Sequence, residues 1–214
     1  MRILITAGGT REYIDPVRFI SNASSGRMGY ALAHAALKAG HKVTLITAPS
    51  SLRVPDGVQV VSVETADQMF EAVKRHFEKC DCLIMAAAVA DFTPVKKSKT
   101  KIKKSKRDFT IKLKPTVDIV SWAGKHKNGS RAMSHGQRII VGFALEDRNL
   151  RKNAEQKLKE KNLDIIVANK PEAIGHEKSA VHIKACSKPW QEFVGMRKEV
   201  TARRIIELIE TISH

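Results

Sequence analysis

The first residues whose types and spacing suggest chemistry form a stretch rich in glycine and serine near the N-terminus. An apolar segment, Arg2–Thr6, leads into Gly8-Gly9-Thr10, and the stretch ends in Ser24-Ser25-Gly26-Arg27-Met28-Gly29. A helix is predicted to begin there, with Ser24 or Ser25 as its N-terminal cap. Unpaired N–H groups and the dipole of a helix N-terminus favour a bound anion. This pattern therefore predicts a phosphate site directly after the first strand.

A second unusual feature is the distribution of charge. The chain carries a net charge of +16, and residues 95–115 hold ten Lys or Arg against one acid, Asp108, which is a net +9. Such a concentration suits an anionic partner, either a nucleoside triphosphate or a nucleic acid. The alternative is that most of these lysines form only a solvated loop.

Further polar or aromatic side chains follow the ends of the predicted strands. They are Arg11, Asp15, Arg18 and Asn22 after the first strand, Asp91 after the fourth, Phe143 and Glu146 at the end of the fifth, and Asn169 after the sixth. Ligands of open α/β sheets bind outside the carboxyl ends of the strands, so these sets are expected to converge. Their combination suits a nucleotide together with a second anionic substrate.

The elements that must position these side chains alternate between strand and helix patterns. Strands are predicted at 2–6, 42–47, 58–63, 82–88, 138–145 and 164–168, and helices at about 25–40, from about 65, and at 116–125, 149–161 and 198–212. A flap is predicted at about 93–114, and polar and apolar residues alternate at its end, 109–114. Residues 125–137 are predicted to form a polar insertion. Residues 180–184 are predicted to pair with 191–194 as antiparallel strands. The predicted fold is α/β, a Rossmann-like, doubly wound and mostly parallel sheet with a lysine-rich flap and a C-terminal antiparallel strand pair. Residues 1–214 are predicted to be one domain.

Composition places the chain among globular proteins of the cytoplasm. It is 43% hydrophobic and 28% charged, and no apolar run approaches the roughly 20 residues that span a bilayer. The N-terminus lacks the pattern of a signal peptide. Cys80, Cys82 and Cys186 form no paired C-x-x-C motif, so they are predicted to be reduced thiols packed in the core.

Two other function classes are open on these residues. A dinucleotide-dependent oxidoreductase would explain Ser24-x-Gly26-x-x-Gly29, but no acid follows the second strand at Thr47-Ala48-Pro49, and no Tyr-x-x-x-Lys pair exists. A Walker-type phosphate loop is also missing. A nucleic-acid-binding module would explain the net charge, although Phe109 is the only aromatic residue in the basic run.

The motifs together resemble the phosphopantothenate–cysteine ligase family (phosphopantothenoylcysteine synthetase). The resemblance covers Met1 to about Asn169, and it is carried by Gly-Gly-Thr-Arg-Glu at 8–12, Asp15-Pro16-Val17-Arg18, Ile20-Ser21-Asn22, Ser24–Gly29, Ala86–Phe92, Lys101-Ile102-Lys103-Lys104, Val141–Ala144 and Val167-Ala168-Asn169.

The resemblance implies a two-step reaction. The carboxylate of 4′-phosphopantothenate attacks the α-phosphate of a nucleoside triphosphate, and the amine of L-cysteine then attacks the acyl nucleotidylate. Family members use CTP or ATP with Mg²⁺, and Lys101-Ile102-Lys103-Lys104 resembles the CTP users. A flavin-dependent decarboxylase often precedes this ligase, but the chain begins at the ligase's first strand, so no flavin is expected. Nucleic acid is not required, and no membrane partner is expected.

The same resemblance assigns residues to the acyl-transfer side of the site. Asn22 matches an asparagine that donates to the carbonyl oxygen of the acyl intermediate, and its alternative role is an Asx turn. Ala87, Ala88 and Asp91 match a turn that contacts nucleotide and pantothenate groups. Arg18 matches an arginine that reaches the pantothenate, in some members from the neighbouring subunit, which implies a homodimer.

On the nucleotide side, Lys101 matches the flap lysine that closes over the triphosphate. The other matching nucleotide contacts are Gly9, Ser24, Gly26 and Gly29 in the triphosphate loop, Thr116, Val117, Asp118, Ile119 and Phe143 at the base, and Lys157, Lys161 and Asn169. The glycines could equally serve packing, and the two helix lysines could be ordinary surface residues. Val117 replaces the usual proline of the family, and Lys170 replaces an aspartate that often follows Asn169.

Overall fold

A computed structural model describes residues 1–105, 108–128, 137–173, 176, 178–186 and 188–213. Most of the predicted polar insertion 125–137, and residues 106 and 107 of the predicted flap, lie outside the described residues.

The described residues form twelve strands and five α-helices. The strands are β1 (Arg2–Ala7), β2 (Arg11–Tyr13), β3 (Phe19–Ser21), β4 (Lys42–Thr47), β5 (Gln59–Ser62), β6 (Cys82–Met85), β7 (Phe92–Pro94), β8 (Leu113–Pro115), β9 (Ile139–Leu145), β10 (Ile165–Asn169), β11 (Lys178–Ala185) and β12 (Gln191–Arg197). The helices are α1 (Arg27–Lys38), α2 (Ala66–Phe77), α3 (Ile119–His126), α4 (Leu150–Glu160) and α5 (Lys198–Ile212).

Eight of these strands form one sheet in the order β5-β4-β1-β6-β9-β10-β11-β12. The pairs from β5 to β10 are parallel, and β11 and β12 extend the sheet by antiparallel pairing. The chain therefore winds outward from β1 in one direction and then returns to continue from β6 in the other. The predicted doubly wound sheet and its C-terminal antiparallel pair are confirmed, and the switch point lies between β1 and β6.

Helices cover both faces of the sheet, as the apolar strands require. On β1, Ile3 and Ile5 pack on the face that α1 and α5 cover, whereas Leu4 packs on the face of α2, α3 and α4. This alternation follows from the two-residue period of a strand. Two separate apolar layers, one on each face, thus hold the sheet and the loops that follow the carboxyl ends of its strands.

Two small hairpins lie outside the main sheet. β2 pairs with β3, and β7 pairs with β8. The second hairpin forms the base of the predicted flap, but β8 covers Leu113–Pro115 rather than the whole alternating run 109–114. The first hairpin was not predicted, because three-residue strands give too short an alternation to detect.

The three cysteines differ in their surroundings. Cys80 and Cys82 are buried, as predicted, and burial raises the pKa of the Cys82 thiol well above its usual range. The prediction is wrong for Cys186, which is exposed and donates its thiol to the carbonyl of Leu163 at 2.9 Å. It follows directly after β11, where the chain leaves the sheet.

None of the helices in the described part of the chain combines the length and the apolar character needed to cross a bilayer.

Replacing Gly124 by alanine is expected to destabilise the protein by about 3 kcal/mol, because overpacking of this kind has no room to relax. A Cβ atom at Gly124 would lie 1.8 Å from the carbonyl oxygen of Lys161, where α3 crosses the end of α4. Thermal unfolding should show the loss as a decrease of roughly 6–12 °C in Tm. Lys125→Ala, an exposed position on the same helix, is the control and should leave Tm nearly unchanged.

Candidate active site

A cavity of about 610 Å³ opens at the switch point of the sheet. Its walls include the start of α1, the turn after β6, the start of α3, the ends of β9 and β10, and the C-terminal part of α4. Predicted site residues that line it are Asn22, Ser24, Gly26, Ala87, Ala88, Asp91, Thr116, Val117, Asp118, Ile119, Phe143, Lys157, Lys161 and Asn169. The structure therefore brings together residues from six separate segments, as the sheet topology predicts.

Gly9 and Gly29 do not line the cleft and instead allow close packing behind it. A Cβ at Gly29 would lie 2.5 Å from the Cβ of Ala7, and a Cβ at Gly9 would lie 2.8 Å from the carbonyl oxygen of Asn22. These two glycines thus have the packing role that the sequence left open. Of the glycines assigned to the triphosphate loop, Gly26 is the one at the cleft.

The first turn of α1 is open toward the cleft. Gly26 is the N-cap residue, with φ of 77°, and no side chain caps the helix. The prediction that Ser24 or Ser25 caps it is wrong: Ser24 Oγ accepts from the N–H of Gly26 at 3.3 Å, one residue before the helix begins. Since α1 has no acid in its first turn, its N-terminal N–H groups favour an anion.

The side chain of Asn22, which directly follows β3, bridges to the turn after β6. Its amide Nδ2 donates to the carbonyl oxygens of Val89 at 3.0 Å and Ala88 at 3.4 Å. The side chain thus does not form the Asx turn that was the alternative. The amide lies at the wall of the cleft, with its N–H groups on these backbone carbonyls.

Two buried threonines fix the turn after β6. Thr6 Oγ1 accepts from the N–H of Ala87 at 3.1 Å, and Thr10 Oγ1 accepts from the N–H of Ala90 at 2.9 Å. Sequence reasoning did not select these threonines for this role. A polar residue within or just after the buried strand β1 was the available signal, since a buried hydroxyl needs a hydrogen-bond partner.

Lys157 on α4 and Lys161, directly after its last residue, line the cleft, and each is paired with an acid from another part of the chain. Lys157 Nζ lies 2.5 Å from Glu146 Oε1, and Lys161 Nζ lies 2.8 Å from Asp118 Oδ2. Burial by itself would raise the pKa of each carboxyl, but the hydrogen bonds from these lysines outweigh it and lower both pKa values. The acids therefore stay ionised and hold two cations at the cleft wall.

Arg27 and Lys198 also line the cleft, and sequence reasoning assigned neither to the site. Arg27 is the first residue of α1, and Lys198 is the first residue of α5. Lys198 Nζ donates to the carbonyl oxygen of His176. The signal for Arg27 was its place inside the Ser24–Gly29 motif.

Arg18 and Lys101 lie outside the cleft lining. Arg18 Nε donates to Asp15 Oδ2 at 3.0 Å, and Arg18 Nη2 donates to the carbonyl oxygen of Ile102 at 2.8 Å. Asp15 Oδ2 also accepts from the N–H of Ile102 at 3.1 Å. The exposed Lys101 is therefore tied through its neighbour to the loop between β2 and β3, and not to the cavity.

Replacing Asp15 by asparagine is expected to lower stability at neutral pH and to have a smaller effect in acid. The Arg18 guanidinium, assisted by three backbone N–H groups, holds the pKa of the buried Asp15 carboxyl well below its usual 3.8. A depressed folded-state pKa stabilises the protein above the unfolded-state value, and that contribution is lost as the pH falls below it. Urea unfolding at several pH values measures the difference. Asp56→Asn, in an exposed pair with Arg53, is the control, and an equal pH dependence in both variants would contradict the expectation.

Comparison with known proteins identifies the family. The family model described as DNA/pantothenate metabolism flavoprotein C-terminal domain matches residues 1–212. The chain belongs to this family. The domain shares its fold with the crystal structure of the C-terminal domain of Coenzyme A biosynthesis bifunctional protein CoaBC, with a TM-score of 0.81 and 38% identity over 99% of this chain and 94% of that one.

Two longer relatives contain a region similar to this flavoprotein C-terminal domain. CoaBC of Bacillus subtilis (strain 168) is 46% identical over 174 residues, which are 81% of the chain and 41% of that protein. A protein named Cysteine/Cysteine sulfinic acid decarboxylase, from an unknown prokaryotic organism, is 45% identical over 218 residues, which are 100% of the chain and 59% of that protein. The chain thus spans about half the length of the curated relatives it matches.

The cleft offers one carboxylate, Asp91, to a metal ion that phosphate oxygens would also hold. Within the described ranges, no three His, Cys, Asp or Glu side chains form a metal cluster. Asp91 lines the cleft, is exposed, and forms no side-chain hydrogen bond or ion pair with another described residue. Mg²⁺ bound to phosphates commonly needs only one or two protein carboxylates, so Asp91 can supply one.

Proposed function

We propose that this chain is a phosphopantothenate–cysteine ligase of coenzyme A biosynthesis, which joins 4′-phosphopantothenate to L-cysteine at the expense of a nucleoside triphosphate. The observation that carries the proposal is a single cleft that combines the open N-terminus of α1, the Asn22 amide and the turn at Ala87–Asp91. Family membership and the name of the CoaBC relatives support it.

In the proposed first step, a carboxylate oxygen of phosphopantothenate attacks the α-phosphorus, and the bond to the β-phosphate breaks to release pyrophosphate. This chemistry needs positioning and charge neutralisation more than a protein nucleophile. The N–H groups at the start of α1 would supply part of that neutralisation. Lys157 and Lys161, which are paired with Glu146 and Asp118, would add N–H donors to the phosphates. Asp91 would hold Mg²⁺, which supplies charge stabilisation on the triphosphate.

In the proposed second step, the cysteine amine attacks the acyl carbon, loses a proton, and displaces the nucleoside monophosphate. The Asn22 amide would donate to the acyl carbonyl oxygen as negative charge develops there. The amide already lies at the cleft wall with its N–H groups on two backbone carbonyls. It would therefore turn the N–H of the longer bond, to Ala88 at 3.4 Å, toward the acyl oxygen. No oxidation state changes in either step, so we propose no flavin for this reaction.

We propose CTP as the nucleotide, with ATP as the alternative. Thr116–Ile119 line the cleft together with Phe143, which supports a base-binding wall. Thr116 is anchored there, since its N–H donates to the carbonyl of Asp91 at 2.9 Å and its hydroxyl to the carbonyl of Ala90 at 2.6 Å. A wall of backbone groups can distinguish the donor and acceptor patterns of bases.

We also propose that the protein is a cytoplasmic homodimer. Apolar side chains on the two small hairpins support an interface between copies, because Val17, Phe19, Phe92, Val95 and Leu113 are 41–57% exposed and the hairpins contact each other. Exposed apolar patches of this kind mark association surfaces. Sedimentation equilibrium should give twice the chain mass, and a monomer at micromolar concentration would contradict the dimer.

The oxidoreductase alternative is not favoured. At the end of β4, where such enzymes place an acid for the ribose, Thr47 is buried and its hydroxyl donates to the carbonyl of Ala48 at 2.9 Å. The nucleic-acid-binding alternative is not favoured either, because the CoaBC relatives are named for coenzyme A biosynthesis.

The deciding experiment mixes purified protein with 4′-phosphopantothenate, L-cysteine, Mg²⁺ and either CTP or ATP. We expect pyrophosphate release with CTP and formation of 4′-phosphopantothenoyl-L-cysteine. Omitting cysteine should stop the reaction near one pyrophosphate per site, with the acyl nucleotidylate retained. If neither nucleotide yields pyrophosphate, the proposed function is wrong.

A further inference from the structure

We propose that the lysines flanking Lys101 attract the two anionic substrates to the cleft through long-range charge, and so raise the rate at which they bind. The segment concerned, residues 96–104, is called the lysine arm below. The inference rests on the proposed function, because a nucleoside triphosphate and phosphopantothenate are both multiply charged anions. It assigns a role to cations that the reaction itself does not use.

The lysine side chains of the lysine arm are exposed, and their charges are not paired with acids among the described residues. Lys96, Lys97, Lys99, Lys103 and Lys104 are all exposed, and none forms a hydrogen bond or ion pair with another described residue through its side chain. By contrast, Lys127, Lys157, Lys161 and Lys184 each pair with an acid. The arm therefore keeps its full charge facing solvent.

The lysine arm is also held at a defined place. The N–H of Ser98 donates to the carbonyl of Ile14 at 2.9 Å, and Ile102 is bound on both its N–H and its carbonyl by Asp15 and Arg18. A loop whose lysines were only hydrated by solvent would need none of these hydrogen bonds. The anchors tie the arm to the loop between β2 and β3, and β3 ends one residue before Asn22, which lines the cleft.

Both ends of the flap likewise lead into the cleft. β7 follows Asp91 directly and β8 ends directly before Thr116, and both of these residues line the cavity. The concentrated positive charge is thus attached beside the entrance of the site. Charge of one sign next to a cleft can raise association rates by about 10–10³-fold, and the effect weakens as salt screens it over about 8 Å at physiological ionic strength.

The opposite edge of the sheet offers a matched control. Lys38 lies in the last turn of α1, Lys42 begins β4, and Lys79 lies just before β6. These residues are exposed and lie at the amino ends of the parallel strands, whereas the cleft lies at the carboxyl ends. Neutralising three lysines at either edge changes the net charge equally, so a difference between the two variants reports position and not total charge.

The test measures binding of a fluorescent CTP analogue by stopped flow in 20 to 500 mM NaCl. The arm variant K99Q/K103Q/K104Q retains Lys101, and the control variant is K38Q/K42Q/K79Q. We expect the arm variant to bind about 3–10-fold more slowly at low salt, with an unchanged dissociation rate and a flatter salt dependence. Replacing the same three arm residues by glutamate doubles the charge change and should slow binding further. The control variant should match the wild type within twofold.

Equal association rates for the arm and control variants at every salt concentration would overturn the inference while leaving the proposed function intact. A wild-type protein that binds no CTP analogue at any salt would instead contradict the proposed function, and this inference with it. An arm variant that keeps its CTP association rate but loses binding to a labelled single-stranded RNA would also overturn the inference, because the arm would then be a nucleic-acid surface.

Discussion

Replacing Asn22 by aspartate is expected to slow amide formation by about 10²–10³-fold, the usual effect of removing one preorganised donor from a developing oxyanion. The amide Nδ2 of Asn22 is the donor group at this wall of the cleft, 3.0 Å from the carbonyl of Val89. An aspartate cannot donate there, and its charge would repel the acyl oxygen. First-turnover pyrophosphate release should persist, so the acyl nucleotidylate should accumulate in rapid-quench experiments.

Two observations separate this role from a structural one. The variant should remain folded, with a cooperative thermal transition, because Asn22 is exposed. Asn22→Gln keeps an amide but moves it by one methylene, and it should recover part of the second-step rate. Turnover of Asn22→Asp at the wild-type rate would remove Asn22 from the mechanism.

Replacing Lys101 by glutamine is expected to slow the first step by about 10²–10³-fold, a loss comparable with that of an electrostatic clamp on a reacting phosphate. Lys101 is exposed and lies next to Ile102, which Asp15 and Arg18 hold. A flexible ammonium beside a fixed anchor can follow the leaving pyrophosphate. The measurement is pyrophosphate release in a single turnover at saturating CTP.

Lys103→Gln is the matched control for this variant. Lys103 lies on the other side of the Ile102 anchor, is also exposed, and carries the same charge. At saturating nucleotide, binding rate no longer limits turnover, so this control should release pyrophosphate at a rate within twofold of the wild type. An equal loss in both variants, or no loss in Lys101→Gln, would contradict a specific role for Lys101.

The fold was predictable because its signals are local. Buried strands such as β1, β4 and β9 appear as short apolar runs, and the helices between them repeat at helical spacing. Once strands and helices alternate, the right-handed crossover rule leaves few arrangements. The helix that begins at Lys198 was predicted with the same bounds that the structure shows.

The parts that were missed depend on distant partners. The start of α1 was predicted to have a serine cap, but the close approach of Gly26 to the backbone of Gly8 places a glycine at that position. The hairpin of β2 and β3 is held partly by Glu12, which accepts from the N–H of Ala66 at 2.8 Å. No pattern within either segment reveals such a partner.

The sequence by itself determined the doubly wound sheet and the residue types that follow the carboxyl ends of its strands, because these follow from hydrophobic period and from motifs within single segments. Only the tertiary structure decided which side chains meet. It placed Gly9 and Gly29 behind the cleft, paired Lys157 with Glu146, and tied the lysine arm to Asp15. Ion pairs and buried hydrogen bonds join residues far apart in sequence, so their partners are set by packing and not by local pattern.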